Sequence, residues 1–233
     1  MESTSTRRMC DSAAVNAAVD HGAVWMRALE LRDALLAGDA AEVEAMCAPE
    51  FWERAGRDEL LGFIPHVSSA TALGVLARRS LLQLSSPAAR YPEAVLEQLW
   101  GLSDGRLLLE DERLFTLVDR LKVEATGDRE RLERLRTKLD AQDAALAYVA
   151  ALTGHDMAAV TALWSSAYSD GHGREVRPLI PTVQRAELIG SVGPRTLVRL
   201  AMDGGEATVE LLWRRRDGRL VIEGARTFAP GTA

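Results

Sequence analysis

Two stretches of the chain keep apolar residues on one side of a helix. Val15, Val19, Met26, Leu29 and Leu36 recur at helical spacings before Gly38, and Leu132, Leu135, Leu139, Leu146 and Val149 do so before Gly154. One apolar stripe on a 3.6-residue period predicts two long amphipathic helices, each stopping near a glycine. After the first, Asp39 stands three residues before Glu42, a capping-box spacing, and Pro49 ends the short helix it opens. Short helical turns follow at "RDELLGF" and "GREVRPLI". The remainder of each half is strand-like: "ATALGVLARRSLLQLS", "EAVLEQLW" and "RLLLEDERLF" in one, "AELIGSVGPRTLVRLAM", "EATVELLW" and "RLVIEGARTF" in the other. Asp104-Gly105 and Asp217-Gly218 are hairpin turn signals. Helices followed by antiparallel strands predict an α+β protein.

The two halves share one plan. "LEQLWGLSDGRLLLEDERLF" from Leu96 returns as "VELLWRRRDGRLVIEGARTF" from Val209, a shift of 113. Ile64-Pro65, Gly74, Arg79, Leu81 and Leu84 fall on Ile180-Pro181, Gly190, Arg195, Leu197 and Leu200 at a shift of 116. Asp39, Val43 and Phe51 fall on Asp156, Val160 and Tyr168 at a shift of 117. Three blocks in one order, with shifts that differ by a few residues, indicate duplication with short loop insertions and deletions. The expected boundary divides a first copy, 1–118, from a second, 119–233, with residues 1–11 frayed. Gly127-Asp128 opens the second long helix.

Composition narrows the partners. Of 233 residues, 47% are hydrophobic and 27% charged, a globular balance, and the net charge of −6 argues against nucleic acid as a partner. Arg214, Arg215 and Arg216 sit beside a turn, and "DRERLERLRTKLD" mixes both signs as a solvated helix face does. Two cysteines without metal spacing, Cys10 and Cys47, fit a reducing compartment; Cys47 is placed on the second helix as a small core residue. The N-terminus has no apolar signal core and no run reaches membrane length, so a soluble, cytoplasmic protein with no membrane partner is expected. No GxSxG elbow, phosphate loop or HExxH is present, and the histidines do not cluster as metal ligands, so neither cofactor nor metal is expected.

Strand parity sorts the last hairpin. With a turn of two or four residues, Val209, Leu211 and Trp213 share a face with Leu220, Ile222, Arg226 and Phe228, while Glu210 and Glu223 take the other face. Arg113, Glu97 and Glu110 repeat Arg226, Glu210 and Glu223 in the first half. A three-residue turn exchanges the faces. Outward glutamates serve as ion-pair partners, and an arginine on the apolar face is either a scaffold pair or a pocket group. Trp100 and Trp213 are placed as plugs of the two cores.

A long helix, then "GDAAEVEAMCAPEF", then strands ending "W…DGRLVIEGARTF", resembles the NTF2-like superfamily once per half, over nearly the whole chain. That group includes ketosteroid isomerases, SnoaL-type polyketide cyclases and limonene epoxide hydrolases. The resemblance implies a curved sheet wrapped around helices as a cone with a pocket at its open end. It also implies a pseudo-dimer within one chain and a monomer in solution. The implied activity is cofactor-free acid/base chemistry, as an isomerase, cyclase or epoxide hydrolase, on a hydrophobic small molecule such as a polyketide-like intermediate. The alternative is a non-catalytic binding or scaffold protein. The family's carboxylate after the second helix falls on Asp170 to His172, or on Glu53 to Ala55 in the first half. Its acidic donor on the penultimate strand falls at Glu210 or Glu97.

The residues there suit such chemistry. Asp170 and His172 lie two apart in a glycine-flanked loop that can aim both at a pocket mouth, or in a solvated turn whose residue types serve turn geometry. Tyr168 can donate a hydrogen bond to a developing oxyanion. The candidate catalytic set is Asp170, His172, Tyr168, Glu210 and Arg226.

Overall fold

The computed structural model describes residues 20–87 and 92–231. Val15 and Val19 of the first predicted helix, Cys10 and the segment expected to fray lie outside the described residues. The fold is α+β with two four-stranded antiparallel sheets, ordered β1-β2-β3-β4 and β5-β6-β7-β8. The described residues fall into two compact units, one within Met1–Pro92, Leu96–Arg113 and Pro230–Ala233, the other formed by Glu93–Val95 and Leu114–Ala229.

In the first unit, helix α1 spans His21–Ala37. Asp20 caps it by accepting from the Gly22 amide, and Gly38 closes it at φ 69°, a conformation that costs a glycine nothing. Val24, Ala28, Leu31 and Leu35 are its buried stripe. Asp39 then accepts from the Glu42 amide at 3.0 Å and starts α2, Ala40–Met46. Helix α3, Pro49–Ala55, has proline at its start, where the missing N–H is no loss; α4, Arg57–Phe63, runs into a 3₁₀ turn at Ile64–His66. Strands β1 (Ser69–Leu76), β2 (Arg79–Ser85), β3 (Glu93–Ser103) and β4 (Arg106–Phe115) follow.

The second unit repeats the order after a short helix α5, Arg120–Ala125. Helix α6, Arg129–Thr153, is capped by Asp128, and α7, Met157–Ala162, by Asp156. Helices α8 (Ser166–Asp170) and α9 (Gly173–Val176) lead through a 3₁₀ segment, Arg177–Thr182, to β5 (Val183–Val192), β6 (Arg195–Met202), β7 (Gly205–Arg216) and β8 (Arg219–Phe228).

The repetition extends to single hydrogen bonds. Trp100 and Trp213, 0% and 2% exposed, each sit in their unit's core. The indole N–H of Trp100 donates to Ser80 Oγ and that of Trp213 to Thr196 Oγ1, both at 2.8 Å. Cys47 bridges Leu109 in parallel, as Trp164 bridges Ile222. Each first hairpin carries a bulge at the same place, between Ala72 and Gly74 and between Leu188 and Gly190.

Two expectations are corrected. Cys47 is not on the second helix but caps it in extended conformation, drawn into a β-bridge with Leu109. Its thiol donates to the Val43 carbonyl, and burial, with the charges of Glu112 and Glu44, pushes it up to about 12. The second correction concerns parity in the last hairpin. The turn has two residues, Asp217-Gly218 at φ 48° and 79°, and Trp213 pairs with Ile222 as expected. A bulge between Leu212 and Trp213 then absorbs Glu223, so that Leu211 pairs with Ala225 and Glu210 with Arg226. Paired residues share a face. Arg226 and Phe228 therefore lie on the side of Glu210, not with Leu211 and Trp213.

Candidate functional site

Each unit has a cavity, partly open to solvent, between its sheet, its long helix and its short helices, and the two cavities are lined by equivalent positions. In the second unit the space is about 90 Å³. Its walls are Leu152, Ile180, Val198, Leu200, Val209 and Leu211, with Ala225 and Thr227 from β8. The polar contributions beyond Thr227 are Tyr148 from α6 and Tyr168 from α8. Tyr148 packs edge-on against Trp213 and Tyr168 edge-on against Trp164, so both rings are held by aromatic contacts. Burial raises both phenols, and the neighbouring Tyr168 raises Tyr148 further, so both hydroxyls stay protonated at neutral pH. Beside them the buried Trp164 Nε1 lies next to the Tyr148 hydroxyl, which its N–H favours in the charged form, against the larger effect of burial. Two phenol side chains thus line an otherwise apolar space.

The structure separates the residues chosen from sequence. Tyr168 lines the cavity. His172 stacks on its ring, 6.0 Å between centroids with the planes 8° apart, but is exposed. Asp170 ends α8 and is exposed. Glu210 and Arg226 lie on the sheet face opposite the cavity wall formed by Val209 and Leu211. Glu210 is 2% exposed and bound by Arg226 at 2.5 Å and Arg195 at 2.6 Å. Glu97 repeats this with Arg79 at 2.9 Å and Arg113 at 3.5 Å. A carboxylate held between two guanidiniums is a charge-neutralised anchor for three strands, not a free base.

In the first unit the cavity is smaller, about 30 Å³. Leu31, Leu35, Ile64, Leu84 and Leu96 occupy the places of Tyr148, Leu152, Ile180, Leu200 and Val209. Polarity is redistributed. Where the second unit has tyrosine at 148 the first has leucine, and where the second has Leu211 and Ala225 the first has Gln98 and Glu112. Burial, with the charge of Asp111 next to it, raises Glu112 to about 7.

Sequence reasoning missed Tyr148, Gln98 and Glu112. The signal was the mismatch between copies: tyrosine against leucine on the buried stripe of the long helix, and glutamine and glutamate against leucine and alanine in the repeated hairpin. Reading it required the bulge at Glu223, which the sequence pattern does not mark. Among the described residues no cluster of His, Cys, Asp or Glu is arranged to hold a metal ion, and no helix is long and apolar enough to cross a membrane. No protein-family model matches the chain, and no curated protein matches it.

Proposed function

We propose that the chain is a tandem NTF2-like protein whose second unit binds a small hydrophobic molecule carrying one acceptor oxygen, such as a cyclic ketone. The observation that carries this reading is the apolar cavity lined by the side chains of Tyr148 and Tyr168. Apolar walls supply affinity, and a few placed donors supply orientation. The repeated order of long helix, capped short helices and four antiparallel strands supports the NTF2-like assignment. Titrating cyclohexanone against tryptophan fluorescence tests it. Tyr148→Phe should weaken binding about tenfold, the equivalent of one hydrogen bond, without weakening methylcyclohexane. Equal binding of both compounds by the native protein contradicts the reading.

A second reading is cofactor-free proton transfer, by an isomerase, cyclase or epoxide hydrolase, on such a molecule in the same cavity. His172 favours it: its imidazole is stacked on the ring of Tyr168, which lines the cavity. Neutral phenols there would stabilise an enolate oxygen as it forms. Under this reading His172→Ala lowers turnover of a ketone substrate and leaves cyclohexanone affinity intact. Unchanged turnover removes His172 from the chemistry.

A further inference from the structure

We propose that Lys138 is a modification site of the second unit, where its ε-amine takes an acyl group from a thioester and becomes a neutral amide. The Lys138 nitrogen attacks the thioester carbonyl. The C–N bond forms, the C–S bond breaks, and the thiol leaves with the proton that the amine gives up. The site lies outside both cavities.

Composition confines the chemistry. Of the 28 lysines and arginines in the chain, two are lysines, Lys122 and Lys138. A guanidinium does not give up its proton, so side-chain amine chemistry has these two places to occur. The Lys122 side chain is 85% exposed and faces Asp119 at 3.6 Å, an ordinary surface ion pair. Lys138 differs on both counts. It lies inside α6, half-buried, and makes no ion pair among the described residues. It donates to Thr116 Oγ1 at 2.6 Å.

That bond is not needed to fasten the chain. The connection after β4 is already held. Gln142 accepts from the Val118 amide at 3.0 Å and donates to the Val118 carbonyl at 2.9 Å. Thr116 exchanges two backbone hydrogen bonds with Ser191, whose hydroxyl donates to Gln142 Oε1 at 2.8 Å. Nor does the fold ask for an amine. On the first unit's long helix the places of Lys138 and Gln142 belong to His21 and Trp25. The polar groups of this junction, Thr116, Gln142 and Ser191, carry no charge. Burial alone acts on the amine and pulls it down to about 8. Part of Lys138 is therefore the free nucleophile at neutral pH. Acylation suits the place better than imine or carbamate formation. An iminium keeps the half-buried positive charge, and a carbamate replaces it with a negative one. An amide removes the charge and keeps one N–H for Thr116 Oγ1.

The test exposes the full chain to the acetyl thioester of N-acetylcysteamine between pH 6.5 and 9. Acetylation of Lys138 and Lys122 is followed by peptide mass spectrometry, with Lys122 as the internal reference for surface reactivity. At pH 7 an amine at about 8 is free in roughly one molecule in ten, against fewer than about one in a thousand at the ordinary lysine value. Lower basicity and partial burial take back part of that advantage. Lys138 should therefore acetylate about tenfold faster than Lys122, or more, at pH 7. Its rate should level off above about pH 8 while that of Lys122 keeps rising. Lys138→Arg, which still offers Thr116 a donor, should remove the fast reaction and leave that of Lys122 unchanged. Labelling of Lys138 no faster than Lys122 overturns the proposal, because a lysine that only straps the helix is shielded by its burial. Two rates that climb in parallel to pH 9 overturn it as well. Both readings come from the native chain, so a variant that fails to fold does not rescue the proposal.

Discussion

A partly buried carboxyl among apolar neighbours leaves a thermodynamic trace. Glu112 keeps its proton to about pH 7 in the folded chain, from an ordinary value of 4.5. Between those values the folded state binds more protons than the unfolded state, so stability falls as pH rises from 4.5 to 7 and stays low above. Glu112→Gln should leave stability near native at pH 4 and raise it at pH 8 by on the order of 2 kcal/mol. Urea unfolding at the two pH values checks this, and a stabilisation equal at both would contradict it. The tryptophan anchors make a second prediction. Thr196→Val strands the buried indole N–H of Trp213 and should cost about 1–3 kcal/mol. Ser80→Ala strands two groups, the Trp100 N–H and Gln98 Oε1, and should cost more. Tyr148, Gln98 and Glu112 stayed illegible in the sequence for a physical reason. An amphipathic pattern tells which residues face inward, but not which inward residue meets empty space.

Elements were easier to read because their causes are local. Asp39 and Asp156 do cap the short helices, and the Asp-Gly pairs do turn with positive φ. Asp39→Ala and Asp156→Ala should each cost about 1 kcal/mol, with similar losses in the two units, measurable by thermal unfolding. Parity failed where a non-local feature intervened. One residue, Glu223, steps out of the ladder between β7 and β8 and reverses every side chain after it, so Arg226 faces Glu210. The side chain of Glu223 is bound by Arg214 at 2.8 Å and also by Arg216. Ion pairs of this kind hold the bulge without writing a sequence signature. The Arg195–Glu210–Arg226 and Arg79–Glu97–Arg113 triads are further products of register. Glu210→Ala removes the buried carboxylate that Arg195 and Arg226 share and should cost several kcal/mol.

For the molecule as a whole, duplication left the framework intact and changed the interiors. The caps, bulges, tryptophan anchors and arginine pairs agree between copies, whereas the cavity side chains do not. Framework positions are bound to one another and change together or not at all. A side chain facing a cavity has fewer neighbours to constrain it, so the two interiors could diverge. The α+β class and the repeated order were therefore visible in the sequence, and the different cavity linings were not. The most direct test of this account is a crystal of the full chain soaked in cyclohexanone. We predict the ring in the second unit, with its oxygen within hydrogen-bond distance of the hydroxyl of Tyr148 or Tyr168. A cavity that stays empty at saturating ketone, or a ketone bound only elsewhere, would contradict the account.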